Sequence, residues 1–172
     1  TEATIQCLKK GVKARPEIMV PLIGTRRELE ILRELILDTI ATVKKEKKYT
    51  GKLDIPVGTM IEIPRAALTA GEVAEVADFF SFGTNDLTQM TFGYSRDDSS
   101  FFQAYEREKV ALVDPFEILD WDGVGKLIKI ALNEITEEEK EDDLAAALPP
   151  PLLLPARRPV ACGPSDAYIM LL

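Results

Sequence analysis

Apolar residues along the chain fall into two alternating kinds of segment. Short apolar runs occur at Ile18-Met19-Val20-Pro21-Leu22-Ile23, at Met60-Ile61-Glu62-Ile63 and at Phe79-Phe80-Ser81-Phe82. Each is bounded by Gly, Pro or a carboxylate and predicts a buried strand. Between them the apolar residues return at helical spacing. Leu29, Leu32, Ile36, Ile40 and Val43 make one stripe, and Thr25 with Glu28 offers a capping box to start it. Lys44, Lys45, Lys47 and Lys48 crowd its last turn, where cations favour the helix dipole and read as a solvated helix end. Arg65 to Ala77 predicts a second helical stretch interrupted at Gly71. Leu87 to Gly93 begins a third, and Val124 to Ile135 forms a further one. Thr1 to Gly11 reads as the end of a helix closed by Gly11, Tyr49 to Val57 as a connecting loop, and Ser95 to Ser100 as a polar loop of the kind that lines a site. Strand and helix in alternation without hairpin turns predicts parallel β/α architecture. Right-handed crossovers then place the strand C-terminal ends on one face.

Beyond the last helix the pattern stops. Glu137-Glu138-Glu139-Lys140-Glu141-Asp142-Asp143 is an acidic run, and Ala145 to Pro155 is rich in Ala, Pro and Leu with no usable period. The expected division is a folded α/β unit over 1–135 and an irregular acidic and Pro/Leu-rich tail over 136–172. A docking segment is the functional alternative for the tail.

The 172 residues have the length of one domain, and 46% apolar content is enough for a core. A net charge of −8 argues against a nucleic-acid partner and means that an anionic substrate needs a local cation. Cys7 and Cys162 have no metal-type spacing, so no disulfide is expected and a cytoplasmic or other reducing compartment is the expectation, with a plastid or other organelle left open. Apolar runs such as Pro149 to Ala156 fall short of the roughly 20 residues of a membrane helix, and no signal-peptide pattern opens the chain, so no membrane partner is expected. The absence of histidine excludes a Ser/His/Asp triad, a histidine metal site and a phosphohistidine on this chain.

Candidate chemistry gathers at two strand ends. Glu62 sits among Met60, Ile61, Ile63 and Pro64, and a carboxylate in apolar company needs a partner. Asp86 closes Gly83-Thr84-Asn85-Asp86 after the third strand, one strand-helix repeat downstream. Neighbouring parallel strands lie roughly 4.8 Å apart, so carboxylates at the same end of adjacent strands converge on one pocket. Paired hard oxygen ligands with no His or Cys nearby suit a magnesium-type ion. Backbone N–H groups from Gly83 to Asp86 at a helix start can hold an anion beside it. The plainer readings are a solvated strand-end carboxylate for Glu62 and a helix N-cap for Asn85-Asp86. Arg65 and Arg96 follow the two motifs and can grip phosphate or carboxylate oxygens bidentately, with surface ion pairing the competing reading, above all for Arg65. Trp121 and Phe101-Phe102 read as packing rather than as a binding platform.

Three stretches carry a resemblance. Pro16 to Leu22, Gly58 to Leu68 and Phe80 to Asp98 resemble the C-terminal phosphoenolpyruvate/pyruvate-binding domain of the pyruvate, phosphate dikinase family, and the resemblance runs from about Gly11 to Asn133. It implies an α/β fold that is an incomplete (β/α)8 TIM-type barrel of the phosphoenolpyruvate-utilising enzymes. It implies magnesium bound by Glu62 and Asp86, and substrate bound by Glu62, Gly83, Thr84, Asn85 and Asp86. Arg96 matches an arginine that holds substrate phosphate in a phosphotransferase relative. The implied activity is phosphoryl transfer between phosphoenolpyruvate and a histidine on a separate domain, within a cycle converting ATP, phosphate and pyruvate to AMP, diphosphate and phosphoenolpyruvate.

The departures from the family are specific. The upstream arginines, the ATP-grasp domain and the phosphohistidine domain have no counterpart here, and Ala161-Cys162-Gly163-Pro164 lacks the family's last-strand Cys-Gly-Glu-His pattern, so Cys162 receives no proton-donor role and no catalytic residue is assigned. A closed barrel takes about 250 residues, and three strands leave open edges that invite association, including a homodimer. The expectation is therefore a segment of a dikinase that is inactive alone. A phosphoenolpyruvate synthase-type fragment and an inactive fragment serving at most as an interaction module are the alternatives.

Overall fold

A computed structural model describes residues 1–97, 100–110 and 113–137, together with the backbone of Val160–Ala161 and Tyr168–Leu171. The elements run α1 (Glu2–Lys9), β1 (Ile18–Val20), α2 (Arg26–Glu46), β2 (Val57–Ile61), α3 (Pro64–Leu68), α4 (Ala70–Ala74), β3 (Phe80–Phe82), α5 (Thr84–Phe92), α6 (Phe102–Arg107), α7 (Val124–Glu137), β4 (Val160–Ala161) and β5 (Tyr168–Leu171). The sheet order is β1-β2-β3-β5-β4. Neighbours from β1 to β5 pair in parallel and β4 pairs antiparallel to β5. The parallel α/β arrangement expected from the alternating pattern is what forms.

Local chemistry accounts for most boundaries. Thr25 Oγ1 accepts the Glu28 N–H while the Glu28 carboxylate accepts the Thr25 N–H, the capping box read from the sequence. Gly11, at φ 76°, closes α1: its N–H bonds Leu8 O and the Val12 N–H bonds Cys7 O, a Schellman closure. Pro64 opens α3 at a position where its missing N–H costs nothing.

The helical stretch after β2 breaks at Thr69, not at the expected Gly71. Thr69 leaves helical geometry at φ −133° and turns its hydroxyl back onto Arg65 O. Gly71 serves packing instead, since a Cβ there would stand 3.0 Å from the Glu134 carbonyl on α7. Strand β2 also begins and ends earlier than its apolar run suggests. The Asp78 carboxylate accepts the Val57 N–H and pins the strand start, and Glu62 falls just past the strand end. Helix α6 was not anticipated.

The tail expectation meets the described residues at two places. Val160–Ala161 and Tyr168–Leu171 are strands, and Phe80–Phe82 pairs in parallel with Ile169–Leu171, so these residues extend a sheet that the sequence reading had stop at β3. An open β3 edge offers a row of unpaired backbone groups that a Tyr-Ile-Met-Leu segment suits. The acidic run past Glu137, the Ala/Pro/Leu stretch and Cys162 lie outside the described residues.

The core lies between one face of the sheet and the helices. Ile61, Phe80 and Phe82 meet Leu29 of α2, Ala66 and Ala67 of α3, Ala70 and Val73 of α4, and Ala131 of α7. The small helix residues let backbones approach the phenylalanine rings closely. Strand alternation turns Ser81 to the opposite face, where its hydroxyl is fully buried without a hydrogen-bond partner. At the N-terminal end of the strands, Arg33 holds Asp78 bidentately at 2.7 and 2.9 Å and donates to Val57 O at 3.1 Å, tying α2 to β2 and to the turn before β3.

Candidate cation and substrate site

The register of β2 and β3 sets the opposite end of the strands. Ile61 pairs with Phe82, and the Gly83 N–H bonds Ile61 O at 3.1 Å, so Glu62 and Gly83 leave the sheet side by side. Gly83 is the N-cap of α5, which brings Asp86 into that helix's first turn. A Cβ on Gly83 would come within 2.5 Å of Glu62 Oε2, 2.6 Å of Met60 Sδ and 2.7 Å of Glu62 Cβ. Only glycine fits against the carboxylate there.

Glu62 is 3% exposed. Its Oε1 accepts the Leu22 backbone N–H at 2.7 Å, and the Asp86 side chain is near enough to act on the carboxyl electrostatically. Burial pushes the Glu62 carboxyl above its ordinary range. The Leu22 N–H pulls it back, and the neighbouring Asp86 carboxylate pushes it up again. Two carboxylates set close together repel one another, and a cation between them offsets that repulsion.

The structure thus brings Glu62, Gly83 and Asp86 together, as the strand-end argument expects. Thr84 and Asn85 occupy the same first helical turn, Asn85 exposed and Thr84 half-buried. The positive end of the α5 dipole lies at this turn and favours negative charge there. Arg65 is exposed and its guanidinium donates to Gly24 O, fastening the β1–α2 loop to the start of α3. Its charge also acts on the Glu28 carboxylate, in line with the surface pairing weighed for it. Arg96 is exposed beyond α5, with its backbone N–H held by Gln89 Oε1 at 2.9 Å.

Phe101 and Phe102 pack with Tyr94, and Phe101 with Tyr105, as expected of packing residues, whereas Trp121 is 67% exposed. Sequence reasoning missed two contacts. The Leu22 N–H is a backbone group that no side-chain pattern signals, and the Met60 thioether reaches Gly83 only because β2 and β3 are in this register.

Among the described residues no group of three or more His, Cys, Asp or Glu side chains surrounds a common point. The acidic side chains at this end of the strands are the two carboxylates of Glu62 and Asp86. Such a set suits an octahedral ion that keeps its waters and takes one or two carboxylates, and is poor for zinc.

A parallel α/β sheet with a buried glutamate and a half-buried aspartate at its strand ends is what this chain presents, and residues 2–138 match the PEP-utilising enzymes through their PEP-binding domain, so the chain belongs to that family. Its relatives with established names are similar at a high level. It is 49% identical over 135 residues to pyruvate, phosphate dikinase of Clostridium symbiosum, covering 77% of this chain and 15% of that protein. It is 55% identical over 131 residues to the chloroplastic pyruvate, phosphate dikinase of Flaveria pringlei, covering 76% of this chain and 14% of that protein. The chloroplastic pyruvate, phosphate dikinase 1 of Arabidopsis thaliana is 54% identical over 131 residues, 76% of this chain and 13% of that protein. The resemblance read from the three motifs is thereby borne out, over a small part of those relatives' length. No helix among the described residues is long and apolar enough to cross a membrane.

Proposed function

We propose that this chain carries the phosphoenolpyruvate/pyruvate site of a pyruvate, phosphate dikinase-type phosphotransferase, with magnesium held by Glu62 and Asp86. One observation carries the reading: a carboxylate 3% exposed is held against a second carboxylate, with glycine the only residue that fits beside it. Without a cation that arrangement is electrostatically costly, and a divalent ion offsets both charges. When bound, magnesium would supply electrophilic stabilisation for a substrate carboxylate and enolate oxygen.

The remaining work falls to the chain itself. Glu62 and Asp86 fix the position of the site relative to β2 and β3. Thr84 and Asn85, with the first N–H groups of α5, orient the anionic substrate at the positive end of the helix dipole. Gly83 keeps the floor low enough for a small keto acid to approach the carboxylates. Phosphoenolpyruvate would lose its phosphoryl group to a histidine and leave as the enolate of pyruvate, which takes up a proton; the reverse step would load it. Because the chain contains no histidine, the acceptor belongs to another domain, such as the phosphohistidine domain the resemblance implies. An ATP-grasp domain would recharge it. The fold reading that goes with this function is a share of a (β/α)8 barrel, in which β1, β2 and β3 would be three neighbouring parallel strands.

Titration calorimetry with magnesium and oxalate, an analogue of the pyruvate enolate, tests the reading. The parent chain is expected to give magnesium-dependent oxalate heats, and Glu62→Ala to lose them. Equal heats from both proteins would refute the site.

A further inference from the structure

Among the described residues, three other than glycine adopt left-handed backbone: Leu22 at φ 57°, Lys48 at φ 47° and Lys109 at φ 56°. Two of these have a helix end to explain them. Behind α2 the Lys48 N–H bonds Lys45 O and the Tyr49 N–H bonds Lys44 O; behind α6 the Lys109 N–H bonds Glu106 O and the Val110 N–H bonds Tyr105 O. Both are Schellman closures. Leu22 has no helix behind it. It follows β1 after a single proline, and its side chain is 54% exposed, so burial of that side chain does not offset the strained backbone.

What the conformation does achieve is to aim the Leu22 N–H at Glu62 Oε1, 2.7 Å away. The turn is held on both sides. Before it, Val20 O accepts the Thr59 hydroxyl at 2.7 Å. After it, the Gly24 and Thr25 N–H groups donate to Glu28 Oε2 at 2.9 and 2.8 Å, and Gly24 O accepts from Arg65. A loop so over-determined keeps a residue in a conformation it would otherwise leave.

We infer that Leu22 is a positioning residue for the cation site: its left-handed backbone fixes Glu62 Oε1 through the N–H, so that Oε2, which lies against Gly83, is the oxygen held out for the ion. The inference rests on the reading of Glu62 and Asp86 as cation ligands. It adds that the ligand is oriented before the ion arrives, by a main-chain donor on a different strand-helix loop. Outer partners of this kind hold a carboxylate in the geometry the ion requires, and their loss typically weakens binding by roughly 10–100-fold.

The test uses the full chain in three forms: the parent, Leu22→Gly, and a backbone ester in which leucic acid replaces Leu22 and removes only the N–H. Two signals are read, the carboxyl ¹³C resonance of Glu62 without metal and the Mn²⁺ affinity by electron paramagnetic resonance. The ester is expected to shift the Glu62 resonance and to weaken Mn²⁺ binding roughly tenfold or more. Leu22→Gly keeps the N–H, relaxes the backbone and should leave both signals as in the parent. An unmoved Glu62 resonance in the ester, or parental Mn²⁺ affinity, overturns the proposal.

Should the ester not fold, amide exchange of Leu22 decides. It should quicken in Glu62→Ala, and an unchanged rate sinks the contact as a functional one. Glu62→Gln separates the two claims. If it binds Mn²⁺ as the parent does, the ion assignment fails and this proposal with it. If it loses binding while the ester keeps it, only the role of Leu22 is wrong.

Discussion

At Gly83 the account reduces to the space for a single atom. A methyl group there would fall on the Glu62 carboxylate and the Met60 sulfur, so Gly83→Ala is expected to abolish magnesium-dependent oxalate binding while the protein still melts cooperatively. Calorimetry and a thermal melt on the same sample check both halves, and full retention of binding would mean the carboxylate is not where the ligand sits. Glu62 gives a prediction in pH. Its folded-state carboxyl titrates above its unfolded value, first because it is buried, so the fold binds that proton more tightly than the unfolded chain does. The contribution is therefore fully present at pH below the unfolded carboxyl range and is lost as pH rises through the folded one. Without added cation, Glu62→Gln, which keeps an acceptor for the Leu22 N–H, should raise the melting temperature at neutral pH, and the gain should vanish in acid. A gain independent of pH would show that the charge is not what costs stability. Glu62 and Asp86 stand out in the sequence because one is a lone carboxylate in an apolar run and the other closes a Gly-Thr-Asn-Asp turn after a strand, both local signals. Their contact, and the Leu22 donor, depend on strand register and on one backbone angle, which no residue type encodes.

At the level of elements, the clamp opposite the site carries the heavier load. Arg33 and Asp78 join α2 to the starts of β2 and β3 through a bidentate pair, and Asp78 also receives the Val57 N–H. Asp78→Ala removes three charge-assisted bonds to two partners, Arg33 and the Val57 N–H, and should cost about 2–3 kcal/mol in urea denaturation. Glu75→Ala breaks the Arg26–Glu75 pair, whose side chains are 42% and 40% exposed, and should cost far less in the same measurement, because solvent screens the pair. Equal losses would mean that the clamp has no special role. Elements with strong local patterns were legible in advance: α2 from its stripe and capping box, and three strands from their apolar runs. The break at Thr69 was not, because Gly71 looks like the weak point until α7 is seen to lie 3.0 Å from where its side chain would be. Strands β4 and β5 escaped notice because their pairing depends on the open edge of β3, far away in sequence.

For the whole molecule, a net charge of −8 makes an anionic ligand unwelcome unless a cation is supplied where it binds. The fold puts buried Glu62 and half-buried Asp86 at the strand ends, beside the positive end of α5, so that cation and substrate would meet where the general repulsion is locally cancelled. The opposite ends of the strands are closed by Arg33 and Asp78, which leaves chemistry to one end and stability to the other. The most direct measurement is anomalous diffraction from crystals of the chain grown with Mn²⁺ and oxalate. The account predicts one strong anomalous peak bridged by the carboxylates of Glu62 and Asp86, with oxalate on its open side. A peak elsewhere, or none at this pair while oxalate is bound, would contradict it.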